Sequence, residues 1–219
     1  MRRILVWGLG GFAILLVFLA ASMTMRTLAW KKTQSHITQA VAGQVMHAAD
    51  QKNPAIRVVA LTRYGSCDAC AQAHQALALA LDDAAAGAAD IQVVVQPIPL
   101  SDPHNQRLAR LALAAGLQDK FAPFHDALMN YDGALTDDVV RTLAVNAGVD
   151  FDRLNADMND PRVNDALSAG RALMDAVKPP ALPSFVFNDR LVFAPPKDGV
   201  FQSDDFIAFF DHVRKTSQP

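Results

Sequence analysis

The chain has 219 residues and only two cysteines, Cys67 and Cys70. That excludes a disulfide framework, so packing must hold the fold together. No second CxxC and no HxxxH pair is present to complete a four-ligand zinc site. No Met-rich or His-rich tract stands near the cysteines. The formal net charge is −2, which gives no electrostatic reason to expect nucleic acid as a partner. Between Ser101 and Lys178 the chain lacks any convincing strand pattern.

The two cysteines stand in Tyr64-Gly65-Ser66-Cys67-Asp68-Ala69-Cys70. The β-branched run Ile56–Arg63 before them reads as a strand, and Ala71–Leu81 after them reads as a helix. A helix N-terminus offers unpaired N–H groups and a partial positive charge. Both favour a thiolate, the species that attacks disulfides. Residues at i and i+3 share one face of the first turn, so the second cysteine can resolve a mixed disulfide made by the first. Two other readings compete. A structural disulfide would close so small a loop that it removes little unfolded-state entropy. Half of a metal site would need ligands from elsewhere, and His74 and His104 are the nearest downstream imidazoles.

Residues 1–30 form a separate unit, a membrane anchor or signal. Arg2 and Arg3 precede Ile4–Ala21, a run without charge. At about 1.5 Å per residue it makes a helix of about 27 Å, close to a bilayer core. A cleavable signal would be shorter, and Ala20-Ala21-Ser22 is a weak cleavage site. The reading is therefore an uncleaved single-pass helix with its N-terminus in the cytoplasm and the body exported. Arg26, Lys31 and Lys32 after the span pull against that orientation. Gly8-Leu9-Gly10-Gly11 lies inside the apolar run with no strand before it, so it is not a nucleotide loop. Residues 31–54 read as a helical linker, with Ile37, Val41, Val45 and Met46 on one side and Asn53-Pro54 ending it. That linker could pack on the body or on a second copy, which leaves a homodimer open.

In the body, 55–219, a second strand is expected over Ile91–Leu100, giving a right-handed parallel βαβ unit with Ile56–Arg63. A helical insertion follows at about 101–178. Caps mark its starts at Asp102-Pro103, Thr136, Asp150 and Asp160-Pro161. Ser184–Phe187 and Leu191–Phe193, joined by Asn188-Asp189-Arg190, read as an antiparallel hairpin. A last helix, Asp204–Arg214, carries Phe206, Ile207, Phe209 and Phe210. With the insertion set aside, the order is βαβ–ββα on a four-stranded mixed sheet.

That α/β order, with CxxC at the head of the first helix, resembles the thioredoxin fold. The insertion makes it similar to the DsbA-like thiol–disulfide oxidoreductases over roughly Ile56 to Val213. Three segments carry the resemblance: the CxxC segment, Lys120-Phe121-Ala122-Pro123-Phe124-His125-Asp126-Ala127-Leu128, and Leu182-Pro183-Ser184-Phe185-Val186-Phe187-Asn188. An X–Pro bond is cis in only about 5–6 % of cases. The resemblance nevertheless implies a cis peptide at Leu182–Pro183, in a loop that faces the CxxC and offers backbone to a substrate strand. Leu182 stands where many relatives carry threonine or valine. Asp68-Ala69 stands where strong oxidants carry proline–histidine. Asp68 places negative charge near the Cys67 sulfur, against the helix dipole, and so implies a weaker oxidant.

The resemblance implies catalysis by thiol–disulfide exchange, with Cys67 as the exposed attacking thiol and Cys70 as the buried resolving one. Leu182, Pro183, Asp68 and Ala69 would shape the substrate groove and tune the redox pair. The Cys67–Cys70 disulfide is itself the redox centre, with no metal or other cofactor. The expected function is a membrane-anchored oxidoreductase that exchanges disulfides with exported proteins, oxidation first. It would sit in the inner membrane with its catalytic domain facing the periplasm or cell exterior, and be served by a membrane redox partner. Alternatives are a reductase or isomerase of a specialised pathway, or a non-catalytic adaptor or copper-binding module on the same fold. His74 is expected as a surface helix residue and His125 as a packed insertion residue. Tyr64 is expected at a groove, rim or core position. His36, His47, His104 and His212 are expected in solvent.

Overall fold

The computed structural model describes residues 44–47, 54–83, 87–188, 191–195 and 199–216. The expected anchor, most of the 31–54 linker and His36 lie outside these residues, as does the side chain of His47. Among the described residues no helix is long and apolar enough to cross a membrane.

The redox helix and its sheet follow from the sequence pattern. Strand β2 (Ile56–Thr62) leads into helix α1 (Asp68–Asp82), and β3 (Ile91–Pro97) returns parallel to β2, in register from Ile56 opposite Ile91 to Thr62 opposite Pro97. Strand β4 (Ser184–Phe187) pairs antiparallel with β2, and β5 (Leu191–Phe193) pairs with β4. Asn188 closes the turn after β4 with a left-handed φ of 46°. Its Oδ1 accepts from Arg57 N at 2.7 Å and its Nδ2 donates to Ala55 O at 3.0 Å, which ties the hairpin to the start of β2.

Among the described residues the sheet has five strands, not four, in the order β1-β3-β2-β4-β5, where β1 is Val45–His47. The added edge strand is β1 (Val45–His47), antiparallel to β3. This corrects the helical reading of the linker at these residues. The helical spacing of Val41 and Val45 is a weak local preference. Pairing here satisfies the open edge of β3 and wins over it. Gln44 extends the match, its carbonyl accepting from Val95 N at 3.0 Å and its Nε2 donating to Val95 O at 3.2 Å.

Strands β2 and β3 are buried on both faces, which explains their nearly continuous apolar runs. One face, with Val58, Ala60, Val93 and Val95, packs on α1, the C-terminal helix α7 (Ser203–Thr216) and part of the insertion. The other, with Val59, Leu61 and Val94, packs on Ala169 and Leu173 of the last inserted helix. Phe206 and Phe210 are fully buried, as expected, in a cluster with Phe185, Phe187, Phe193 and Phe201.

The insertion is helical throughout, as the caps imply: α2 (Pro103–Ala115), α3 (Phe121–Met129), α4 (Asp137–Asn146), α5 (Phe151–Asp157) and α6 (Pro161–Val177). Asp102 caps α2, accepting from Asn105 N at 2.7 Å. Gly116 stays right-handed at the end of α2, and the left-handed residue is Asp119, φ 57°, after a further turn. The thioredoxin-like βαβ–ββα order is thus present, with its helical block between β3 and β4.

Candidate active site

Cys67 is the N-cap of α1. Its carbonyl accepts from Cys70 N at 2.9 Å and Ala71 N at 3.1 Å, and its Sγ accepts from Cys70 N at 3.2 Å. The sulfur thus sits where the helix presents its unpaired donors and positive end. Cys67 and Cys70 are joined by a disulfide with Cα atoms 5.2 Å apart. Cys67 is partly exposed, whereas Cys70 is 2 % exposed and faces the core. Asp68 is exposed and Ala69 partly buried, so neither lies under the sulfur pair.

The loop leading into Cys67 is built from two consecutive left-handed residues, Gly65 (φ 69°) and Ser66 (φ 46°). A Cβ on Gly65 would also meet Leu108 Cδ1 at 3.3 Å, so glycine answers both the backbone and the close approach of α2. Arg63 holds this turn, donating from Nη1 to Gly65 O at 3.3 Å and from Nη2 to Ser66 O at 2.7 Å. Asn105, buried in α2, donates to Tyr64 O at 3.0 Å and accepts from Leu100 N at 2.9 Å. Sequence reasoning missed Asn105, because nothing beside it in the chain marks which distant backbone it serves.

The Leu182–Pro183 peptide is cis, and Pro183 is buried at the start of β4. Pro183 and Cys70 line one small crevice beneath the disulfide, with an open volume of about 20 Å³. Leu182 packs toward the opposite core, with Val59 and Leu173 among that cluster. The fold therefore brings Pro183 into the same crevice as Cys70 and places Leu182 against the core on the other face of the sheet.

Two histidines complete the crevice wall, and one of them corrects an expectation. His74 is not a surface residue: it is 8 % exposed, and its Nε2 lies 3.3 Å from Asp126 Oδ1. The helical insertion covers that side of α1, which the α1 sequence alone does not reveal. His125 is buried as expected, stacked on Phe121 and edge-on to His74 with ring centroids 4.9 Å apart. Its Nδ1 lies 2.8 Å from Tyr64 Oη, and Tyr64 is a core residue at 1 % exposure. Burial, with His74 nearby, pushes the His125 imidazole well below its ordinary range, so it stays neutral. Burial, with the Asp126 carboxylate nearby, pushes the Tyr64 phenol well above its own. His104 and His212 are exposed, as expected.

The family model of the DSBA-like thioredoxin domain matches residues 66–208. The chain belongs to this family. It is a thiol–disulfide oxidoreductase with Cys67 and Cys70 as its CxxC pair. No curated protein sequence matches the chain. Among solved structures, a thioredoxin-like oxidoreductase from Silicibacter pomeroyi DSS-3 is 26 % identical, with 74 % of this chain and 88 % of that one covered, at a TM-score of 0.65. The thiol–disulfide exchange protein α-DsbA2 from Wolbachia pipientis is 18 % identical, covering 88 % and 98 %, at 0.67. The oxidoreductase DsbA from Xylella fastidiosa is 22 % identical, covering 78 % and 90 %, at 0.59.

Within this DsbA-like oxidoreductase, the donor atoms of His74, His125 and Asp126 lie within 4.8 Å of one another. Each already has a protein partner: His125 with Tyr64, and His74 with Asp126. These contacts, with the edge-on packing of the two imidazoles, run from the buried tyrosine to a half-exposed carboxylate.

Proposed function

We propose that this DsbA-like oxidoreductase is anchored in the inner membrane by residues 1–30 and acts on exported proteins in the periplasm or at the cell exterior, chiefly as a disulfide donor. The observation that carries the direction is the place of Cys67 at the N-cap, with its sulfur accepting the Cys70 N–H. A thiolate is favoured there, and stabilising the reduced form makes the disulfide a better oxidant. Exposed Asp68 in the first turn works against this and keeps the pair below the strongest oxidants. Cys67 is the sulfur attacked by the substrate, Cys70 is the leaving and resolving sulfur, and Pro183 flanks them. The redox-active disulfide needs no further cofactor for this exchange. A membrane redox partner would reoxidise the pair, and the uncharged run Ile4–Ala21 supports the anchor.

The test is the reduction potential of the Cys67–Cys70 pair, measured by equilibration with glutathione, beside assays of oxidative refolding and insulin reduction. Donation requires a potential well above the thioredoxin value of about −270 mV and refolding activity lost in Cys67→Ser. A potential at or below that value, with insulin reduction as the stronger activity, would replace donor with reductase. Fractionation of the full chain, with protease protection, checks the anchor and its orientation.

A further inference from the structure

Exchange at this site alternately frees and consumes the sulfur of Cys70, and that sulfur is buried. When a substrate thiolate bonds to Cys67 Sγ, the Cys67–Cys70 bond breaks and Cys70 leaves with the electron pair. The substrate sulfur is oxidised and Cys70 is reduced. A bare thiolate at 2 % exposure is costly, so a proton must reach it. In the reverse step Cys70 attacks Cys67, its proton must leave, and the substrate departs as a thiolate.

The crevice beneath Cys70 offers few candidates for that proton. Its sheet side contributes Met46, Ala60, Thr62, Val95 and Phe185, none of them charged. Its helical side contributes His74 from α1 and His125 from α3. His125 is held neutral by burial, is committed to Tyr64 Oη and is itself only 1 % exposed. His74 differs in its access to solvent. It lies one turn after Cys70 on the same face of α1, and its Nε2 meets Asp126, whose side chain is 50 % exposed. Asp126 is the charged group facing His74 from α3, and His125 is its other titratable neighbour. Thr62 adds an independent sign. Its Oγ1 is buried in the same crevice with no hydrogen-bond partner among the described residues. A buried hydroxyl without a partner calls for one, and about 20 Å³ is room for a single water.

We propose that His74 and Asp126 carry the proton of Cys70 between the crevice and solvent, through a water held by Thr62 Oγ1. This rests on Cys70 being the resolving thiol. In the donor direction the water gives its proton to the Cys70 thiolate and takes one from the His74 imidazolium, which refills from solvent beside Asp126. In resolution each transfer runs backwards. His74 is a positioning residue for this proton, since it acts through the water.

The experiment is a stopped-flow reaction of the reduced, full-length protein with 5,5′-dithiobis(2-nitrobenzoate) from pH 5 to 9. The first released thiolate reports attack by Cys67, and the second reports resolution by Cys70. His74→Gln should slow the second phase on the order of 10–100-fold at neutral pH and change the shape of its pH profile, with the first phase unchanged. Thr62→Val should slow the second phase in the same sense. Asp126→Asn, at a half-exposed site, should slow it as well, and adding it to His74→Gln should cost nothing further. A wild-type second phase in His74→Gln overturns the proposal, and so does equal slowing of both phases. If His74→Gln does not fold, wild-type second phases in both Thr62→Val and Asp126→Asn overturn it. Failure of the first phase in the wild type would strike the assignment of Cys67 instead, so the two ideas fail separately.

Discussion

Removing the Tyr64 hydroxyl tests whether the buried Tyr64–His125 link supports the site. Tyr64 Oη and His125 Nδ1 are 2.8 Å apart, and both side chains are essentially inaccessible, at 1 %. Tyr64→Phe deletes one partner and leaves the imidazole nitrogen unsatisfied in the core. That costs about 1–3 kcal/mol, far more than the slight gain from a more apolar ring. With a urea slope of about 2 kcal/mol/M, the midpoint falls by about 0.5–1.5 M. Deleting both partners removes the orphan, so Tyr64→Phe/His125→Leu should be less destabilised than the sum of its single variants. The pH dependence adds a second readout. The folded-state pKa of His125 is pushed down by burial, so the unfolded chain binds its proton first. Stability is then full above the unfolded histidine value of about 6.5 and declines as pH falls below it, by up to about 1.4 kcal/mol per pH unit. His125→Leu should flatten that decline. Urea melts by circular dichroism at several pH values decide the matter. A midpoint shift under about 0.2 M in Tyr64→Phe, with strictly additive double-variant behaviour, would refute the link.

Variants at three other positions probe separate parts of the molecule. Asp68→Asn should raise the reactivity of Cys67 toward iodoacetamide near neutral pH and make the disulfide more oxidising, because a negative charge at the first turn opposes the dipole; an unchanged alkylation profile removes Asp68 from redox tuning. Gly170→Ala should lower the thermal midpoint despite better helix propensity, since the new Cβ would lie 2.5 Å from Gln96 Nε2 and push that buried amide off Pro97 O and Ala166 O; the net loss is about 1–2 kcal/mol, and a rise in midpoint would contradict it. Asn188→Ala should cost about 1–3 kcal/mol in urea melts, because it loses the bonds to Arg57 N and Ala55 O and keeps a left-handed backbone, whereas Asn188→Gly should recover the backbone part alone.

What the sequence made legible was what is local in it. The CxxC between strand and helix, the caps at Asp102, Thr136, Asp150 and Asp160, and the Asn188 turn all announce themselves within a few residues, and each stands where it was expected. Edge strand β1 was not legible, because three residues carry too little pattern to outweigh a helical spacing. Its identity comes from the open edge of β3, which lies some fifty positions away. His74 escaped for a related reason. On α1 alone it follows the cysteines like any polar helix residue, and only the cover of α3 buries it against Asp126. Resemblance to a family supplied the cis peptide at Leu182–Pro183, for which the residues themselves gave no sufficient reason.

These cases bear on what the helical insertion does. A sheet with α1 and α7 would hold the disulfide at a helix tip, and that suffices for Cys67, whose chemistry is served by the helix N-terminus and solvent. Cys70 has the opposite problem, since its neighbours on the sheet are apolar apart from Thr62. Helix α3 brings His125 and Asp126 over the flank of α1, and α2 contributes Asn105 to fix the backbone just before the active loop. The insertion thus lines the crevice on the buried side of Cys70 while Cys67 stays partly exposed. Substitutions in α3 should therefore act on exchange through Cys70, and substitutions around Asp68 through Cys67. Measuring the two released thiolates separately is the way to tell a tuned attacking sulfur from a tuned resolving one.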